Sequence, residues 1–178
     1  NNITFYNQNQ AEAGKIKKIL KVPGEHNLSN GLAAYTVARQ LKIPEEIILS
    51  ALSKFRGTWR RFDVFDTGYK KITLVSDYAH HPTEVKKTLI AAGEKYPKRR
   101  VIALFQPHQY KRTRDLFDDF IEALKNPPVD KVVLMDIYQV AGREDKEISD
   151  RVSSSILAQE AGDRVIYKKD AGRYLKRS

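Results

Sequence analysis

A chain of 178 residues with 41% apolar content can fill one good domain and part of a second, and its 9 glycines and 7 prolines are too few for a largely disordered polymer. Without cysteine it excludes disulfides and thiolate catalysis, and with no signal pattern and no apolar run near the ~20 residues that span a bilayer, a cytoplasmic protein with no membrane partner is expected. The net charge of +10 admits nucleic acid, an anionic membrane surface or polyanionic small molecules, yet the cations are spread from Lys15 to Lys176, as on solvated helix faces.

Asn1 in place of Met is what a chain beginning inside a longer protein would show. Residues 1–22 read as strand and loop, with an apolar end at Ile19, Leu20 and Val22 before Pro23-Gly24. Residues 27–41 turn helical, and Leu28, Leu32, Tyr35, Val37, Ala38 and Leu41 form a broad apolar face. Pro44 sits near the start of a second helix, where its missing N–H costs little. Its buried stripe is Ile47, Ile48, Ala51, Leu52 and Phe55, and Gly57 closes it. The link Thr58-Trp59-Arg60-Arg61-Phe62 marks a boundary between domains at 1–62 and 63–178.

Beyond that link, strand and helix alternate. Short apolar strands fall at residues 72–75, 101–105 and 132–135. Helices follow at 83–94, then along Leu116, Phe117, Phe120, Ile121 and Leu124, then at 148–159. Residues 164–167 and 171–175 add a last strand and a helix start. Continuously apolar strands alternating with helices predict a parallel sheet covered on both faces, a Rossmann-like α/β domain preceded by a helical tail.

Ligands of open parallel sheets bind beyond the carboxyl ends of the strands. Three polar loops follow the three clearest strands: Asp77-Tyr78-Ala79-His80-His81-Pro82-Thr83-Glu84, then Gln106-Pro107-His108-Gln109-Tyr110-Lys111-Arg112-Thr113-Arg114, then residues 136–144. Uniform connection handedness brings all three to one edge, where two helix amino termini would favour an anion. Each loop also has a plainer use. His81-Pro82-x-Glu84 could start a helix, His80 could be a hydrogen-bonded loop residue, and Arg112 and Arg114 could be solvated. Upstream, Asn27 and Asn30 share a helix face and could read an adenine edge, or Asn27 could cap the helix. Arg60 and Arg61 could clamp phosphate or tie the linker to carboxylates.

Taken together, these segments resemble the Mur ligase family over nearly the whole chain. The resemblance is carried by Pro23-Gly24-Glu25-His26-Asn27-Leu28-Ser29-Asn30, by Phe55-Arg56-Gly57-Thr58-Trp59-Arg60-Arg61-Phe62, by Asp77 to Glu84, and by Phe105-Gln106-Pro107-His108 continuing to Arg112-Thr113-Arg114-Asp115-Leu116. It implies a three-domain enzyme of which residues 1–62 are the tail of the central ATP-binding domain and 63–178 the terminal, Rossmann-like one, truncated at its end. The implied reaction joins L-alanine to UDP-N-acetylmuramate through an acyl phosphate, with ATP and Mg²⁺ as cofactors, and its partners are those substrates and the upstream domains. His26, Asn27 and Asn30 would line the adenine pocket. Arg61 would contact the nucleotide and act in catalysis, and Asp77, with Tyr78, would bind the ribose. His108 and Arg112 would hold the amino-acid carboxylate and orient the acyl group, with His80 and Gln109 beside them.

Departures from the family pattern accompany the match. Gln109 stands where arginine is commonest, Lys111 where threonine is frequent, and Ser76 replaces an aspartate before Asp77. Gln cannot offer a charged fork, so Lys111 is a candidate substitute. No G-x-x-x-x-G-K phosphate loop occurs, so the Mg²⁺ ligands are expected upstream, no metal site is assigned here, and this polypeptide alone should be inactive. A ligase of the same family that reattaches recycled murein peptides is the nearest alternative. A basic nucleic-acid-binding module is the more distant one, since the chain lacks the aromatic-interleaved basic platform of such modules.

Overall fold

The structure, a computed structural model, describes residues 4–69, 71–139 and 152–169. The chain divides into two compact units, residues 1–78 and 79–178.

The first unit opens with a helix, α1 (Glu12–Ile19), where sequence reading expected strand and loop. Ala13, Ile16 and Leu20 recur at helical spacing and pack against the next helices, while Glu12 in the first turn and Lys17 and Lys18 in the last suit the helix dipole. Helix α2 (Glu25–Gln40) starts two residues before the expected Asn27, behind Gly24 at its amino end. It approaches α1 closely at Gly31, where an added Cβ would lie 3.2 Å from both Ile16 and Leu20. Helix α3 (Glu45–Lys54) follows Pro44 and stops at Phe55, short of the expected Gly57.

Ile16, Leu28, Leu32, Tyr35 and Ile48 form the core of this three-helix layer. That core is narrower than the sequence implied. Val37, Leu41 and Ile47 are 60%, 68% and 59% exposed, because each helix of a three-helix layer turns only one stripe inward. A hairpin completes the unit: β1 (Asp63–Asp66) pairs antiparallel with β2 (Thr73–Ser76) in the register Val64 to Val75 and Phe65 to Leu74. The first expected strand of the parallel sheet is therefore β2 of a hairpin. Sequence reading missed β1, whose Asp-Val-Phe-Asp sets only two apolar residues between acidic ones.

The second unit is α/β. Helix α4 (Pro82–Lys95) leads to β3 (Ile102–Phe105), then α5 (Tyr110–Asp115), α6 (Phe117–Leu124), β4 (Lys131–Leu134), α7 (Ser154–Ala161) and β5 (Val165–Tyr167). The sheet has the order β3-β4-β5 and is parallel throughout, with Ala103 opposite Val132 and Val132 opposite Val165. Side chains alternate between faces along each strand. Val132, Leu134 and Val165, with Ala103 and Phe105, share the core with Val85 and Leu89 of α4, Phe120 and Leu124 of α6, and Leu157 of α7. Helices α4, α6 and α7 thus pack into one cluster on one face of the sheet, whereas helices on both faces were expected. On the alternate face Val133 is fully buried and Leu104 is half exposed. Residues 148–151 of the expected third helix, and the expected helix at 171–175, lie outside the described residues.

Phe120 is fully buried, with its ring 5.9 Å from that of Phe105. Phe120→Ala should therefore cost about 3–5 kcal/mol, the usual range for emptying a packed aromatic site. Val37→Ser should stay within about 0.5 kcal/mol, as exposed substitutions do. Urea denaturation of the two variants checks both, and comparable losses would contradict the narrow core.

Candidate functional site

The candidate site of the second unit lies past the carboxyl ends of its strands. Hydrogen bonding between β3 and β4 continues beyond the strands: Met135 N–H donates to the Phe105 carbonyl at 2.9 Å. Pairing resumes at an isolated parallel bridge between His108 and Tyr138. Tyr138 N–H donates to the Pro107 carbonyl at 2.8 Å, and Gln109 N–H to the Tyr138 carbonyl at 2.9 Å. The Gln106 amide donates to the Asp136 carbonyl at 3.1 Å, and the Tyr167 hydroxyl to Asp136 Oδ1 at 2.6 Å. The loops after β3 and β4 and the end of β5 are therefore one polar cluster. The His108 and Tyr138 rings stack within it, 5.1 Å apart at 19°.

Helix α5 starts at Gln109, whose φ of 75° is unusual for a residue with a Cβ. Thr113 is fully buried and its hydroxyl donates to the Gln109 carbonyl at 2.9 Å, which fixes that turn. The three cations of α5 have different fates. Lys111 Nζ lies 2.7 Å from Asp115 Oδ2, and Arg114 holds Asp115 Oδ1 through Nε and Nη2 at 2.9 and 2.7 Å. Hydrogen bonds from Lys111 and then Arg114 lower the Asp115 pKa below the ordinary carboxylate value. Lys111 is thus committed to Asp115, which weakens it as the substitute for arginine at 109. Arg112 reaches back to the His108 carbonyl at 3.3 Å and forms no ion pair among the described residues.

The first expected loop behaves differently, because it follows β2 and not a strand of this sheet. Its histidines start α4. His81 Nδ1 accepts from Thr83 N–H at 3.3 Å, while Glu84 Oε2 accepts from the N–H groups of His80 and His81 at 3.1 and 3.3 Å, a capping box with Pro82 in the first turn. His80 Nδ1 also lies 3.4 Å from Glu84 Oε2. The amino terminus of α4 is therefore capped from within, and α5 is a helix of only 6 residues, so the anion expected from two helix ends loses its physical basis.

In the first unit, Asp77 Oδ2 accepts from Phe62 N–H at 2.8 Å, and Tyr78 N–H donates to the Arg60 carbonyl at 2.8 Å. The Arg60 guanidinium lies over the Trp59 ring at 5.4 Å and the Tyr78 ring at 4.8 Å. Arg61, next to this cluster in sequence, is exposed. Asn27 is inside α2 and does not cap it. Its Nδ2 donates to the Pro23 carbonyl at 2.6 Å and lies 3.2 Å from His26 Nε2. Asn30 is exposed on the same helix.

Sequence reasoning brought the loop at 136–144 to the same edge as the His108 loop but gave Asp136 and Tyr138 no role there, and it missed Tyr167. The usable signal was polar or aromatic residues within four positions after an apolar strand, in loops that parallel pairing holds side by side. A cavity of about 360 Å³, lined by Gly93, Tyr96, Arg99, Asp130 and Arg164 among others, sits at the opposite end, before β3 and β5 begin. Among the described residues no three His, Asp or Glu side chains gather to hold a metal, and no helix is long and apolar enough to cross a membrane.

A parallel α/β unit with polar loops past the carboxyl ends of its strands is of the Rossmann-like kind. A family model for the Mur ligase glutamate ligase domain matches residues 60–177, and the chain belongs to the Mur ligase family. It is 45% identical over 136 residues to the UDP-N-acetylmuramate–L-alanine ligase of Hydrogenovibrio crunogenus, covering 75% of this chain and 29% of that protein. The crystal structure of the UDP-N-acetylmuramate-alanine ligase of Thermotoga maritima superposes with a TM-score of 0.64 at 30% identity, over 88% of this chain and 32% of that one. A murein peptide ligase from Psychrobacter arcticus 273-4 shares the fold, with a TM-score of 0.53 at 23% identity over 89% of this chain and 32% of that one. The chain spans about a third of the length of these relatives.

The bond to Asp136 raises the Tyr167 pKa above its ordinary 10.0, with burial and the Asp136 charge adding to it. The raised value means this contact stabilises the fold fully below the unfolded tyrosine pKa and is lost as pH climbs through the folded one. Asp136→Asn should bring Tyr167 back toward 10.0. A titration followed by NMR of ¹³Cζ-labelled tyrosine reads that shift, and an unmoved midpoint would contradict the bond.

Proposed function

We propose that this chain is the carboxy-terminal part of an ATP-dependent ligase that joins L-alanine to UDP-N-acetylmuramate in peptidoglycan synthesis. Residues 1–62 are read as the tail of its central ATP-binding domain and 63–178 as its terminal domain. ATP, when bound, supplies the phosphoryl group that converts the muramate carboxylate to an acyl phosphate. The alanine amine then attacks the carbonyl carbon. A C–N bond forms, the C–O bond to phosphate breaks, inorganic phosphate leaves and the nitrogen loses a proton.

On this reading His108 and Arg112 hold the amino-acid carboxylate and orient the acyl group, with Gln109 and His80 beside them. Arg61 contacts the nucleotide, and Asp77 and Tyr78 the ribose. The adenine assignment fits the donor chemistry: the Asn27 amine is occupied by Pro23, which leaves its amide oxygen to accept from the exocyclic amine of adenine. The ligands of Mg²⁺ are expected in the upstream part of the ligase, and no step is assigned to it through this chain.

The observation that supports this reading best is Arg112, a guanidinium free of ion pairs among the described residues and hydrogen-bonded to the His108 loop. A positioned arginine matches a carboxylate through two parallel bonds, and a carboxylate is what every amino-acid substrate offers. In the full-length enzyme, phosphate release from ATP should require both UDP-N-acetylmuramate and L-alanine. Turnover only with a murein tripeptide would transfer the chain to the recycling ligases. Arg112→Met should raise the KM for L-alanine by roughly tenfold to a hundredfold, the equivalent of one charge-assisted hydrogen bond.

A further inference from the structure

We infer that Tyr138 is a positioning residue for His108, its ring the platform that sets the imidazole and so makes the segment Asp136 to Tyr138 part of the amino-acid subsite. The inference rests on the reading that His108 contacts the amino-acid substrate.

Stacking alone, at 5.1 Å and 19°, would be a weak basis. The backbone strengthens it. Residues 107 to 109 and Tyr138 exchange two main-chain hydrogen bonds, at 2.8 and 2.9 Å, one on each side of the bridge that pairs His108 with Tyr138. Tyr138 therefore cannot slide along the loop without breaking both. Two residues earlier, the Gln106 amide and the Tyr167 hydroxyl grip Asp136, one through its carbonyl and one through its carboxylate. Tyr167, with its pKa raised by that carboxylate, stays protonated and remains a donor at neutral pH.

The Tyr138 ring is 52% exposed, so it adds little to the core, whose buried members lie elsewhere. Its contact is with a side chain, His108, that is itself half-buried. A flat ring held parallel under an imidazole removes rotamers the histidine would otherwise populate. A ligand that needs the imidazole in one orientation then binds without having to order it. Arg112, bonded to the His108 carbonyl, shares the same support, so the two groups expected to meet the carboxylate are fixed relative to one another.

The test uses Tyr138→Leu, Tyr138→Phe and His108→Ala. In this chain, NMR of the His108 ring protons should show Y138L losing the upfield ring-current shift and Y138F retaining it. In the full-length ligase, Y138L should raise the KM for L-alanine roughly tenfold and leave the KM for ATP unchanged, the pattern of lost binding at one subsite. Y138F should restore the KM for L-alanine, and Y138L should add little to H108A, as expected of two residues acting through one contact. An H108A enzyme with normal KM for L-alanine would remove the reading of His108 itself. If H108A impairs alanine binding and Y138L does not, or if Y138L raises both KM values alike, the inference is overturned.

Discussion

Parallel pairing of β3 with β4 does not end where the strands end, and the candidate site depends on that continuation. A parallel pair leaves adjacent carboxyl-end loops a few ångströms apart, and here the chain uses this closeness to join them through Pro107, His108, Gln109 and Tyr138. The strands themselves are short, four residues each in β3 and β4. Their register is held by a buried β4, with Val132, Val133 and Leu134 all inaccessible. A register slip of one residue would turn Val132 and Leu134 out of the helical cluster and uncouple the loops as well. Packing at one end of the strands thus fixes polar geometry at the other.

Electrostatics then decide which cations remain for a ligand. Helix α5 carries Lys111, Arg112 and Arg114 within four positions, and Asp115 engages the first and the last. The lowered pKa of Asp115 keeps its carboxylate ionised through neutral pH and well into the acidic range, so both partners stay engaged. These are exposed pairs, and solvent screening leaves them a modest role in stability. Their consequence is selective: they leave Arg112 as the α5 cation turned toward the His108 loop. A similar economy governs the first unit's neighbour in sequence, where Glu84 serves two backbone donors at the start of α4.

Legibility followed the range of the interactions. Helix α4 could be read from Pro82 and Glu84, and the stripe of α6 from Phe117 to Leu124, because both signals are local. Val132 to Leu134 could be read as a buried strand from its unbroken apolar run. What failed depended on partners distant in sequence. Nothing near Val75 says that it pairs with Val64 and not with the parallel sheet. Nor does the apolar character of Val37 and Leu41 reveal that no described helix covers them. In the site, His108 and Arg112 were legible as residue types in a strand-end loop. The loop carrying Tyr138 was legible at the same edge, but its pairing with His108, 30 residues away, was not, because only the parallel register fixes it.

The linker shows why nucleotide-binding candidates and structural residues need not be different residues. Gly57 at φ 100° takes a turn where an added Cβ would lie 3.3 Å from the Arg61 carbonyl, and Arg60 and Phe62 also adopt positive φ, at 55° and 52°. Non-glycine residues hold such values only where their surroundings compensate. Here the compensation is visible: Phe62 is buried with its N–H bonded to Asp77, and Arg60 lies over the Trp59 and Tyr78 rings with its carbonyl bonded to Tyr78. Asp77 and Tyr78 thus set the conformation of the segment that carries Arg61. The residue proposed to bind ribose is then one that also shapes the linker.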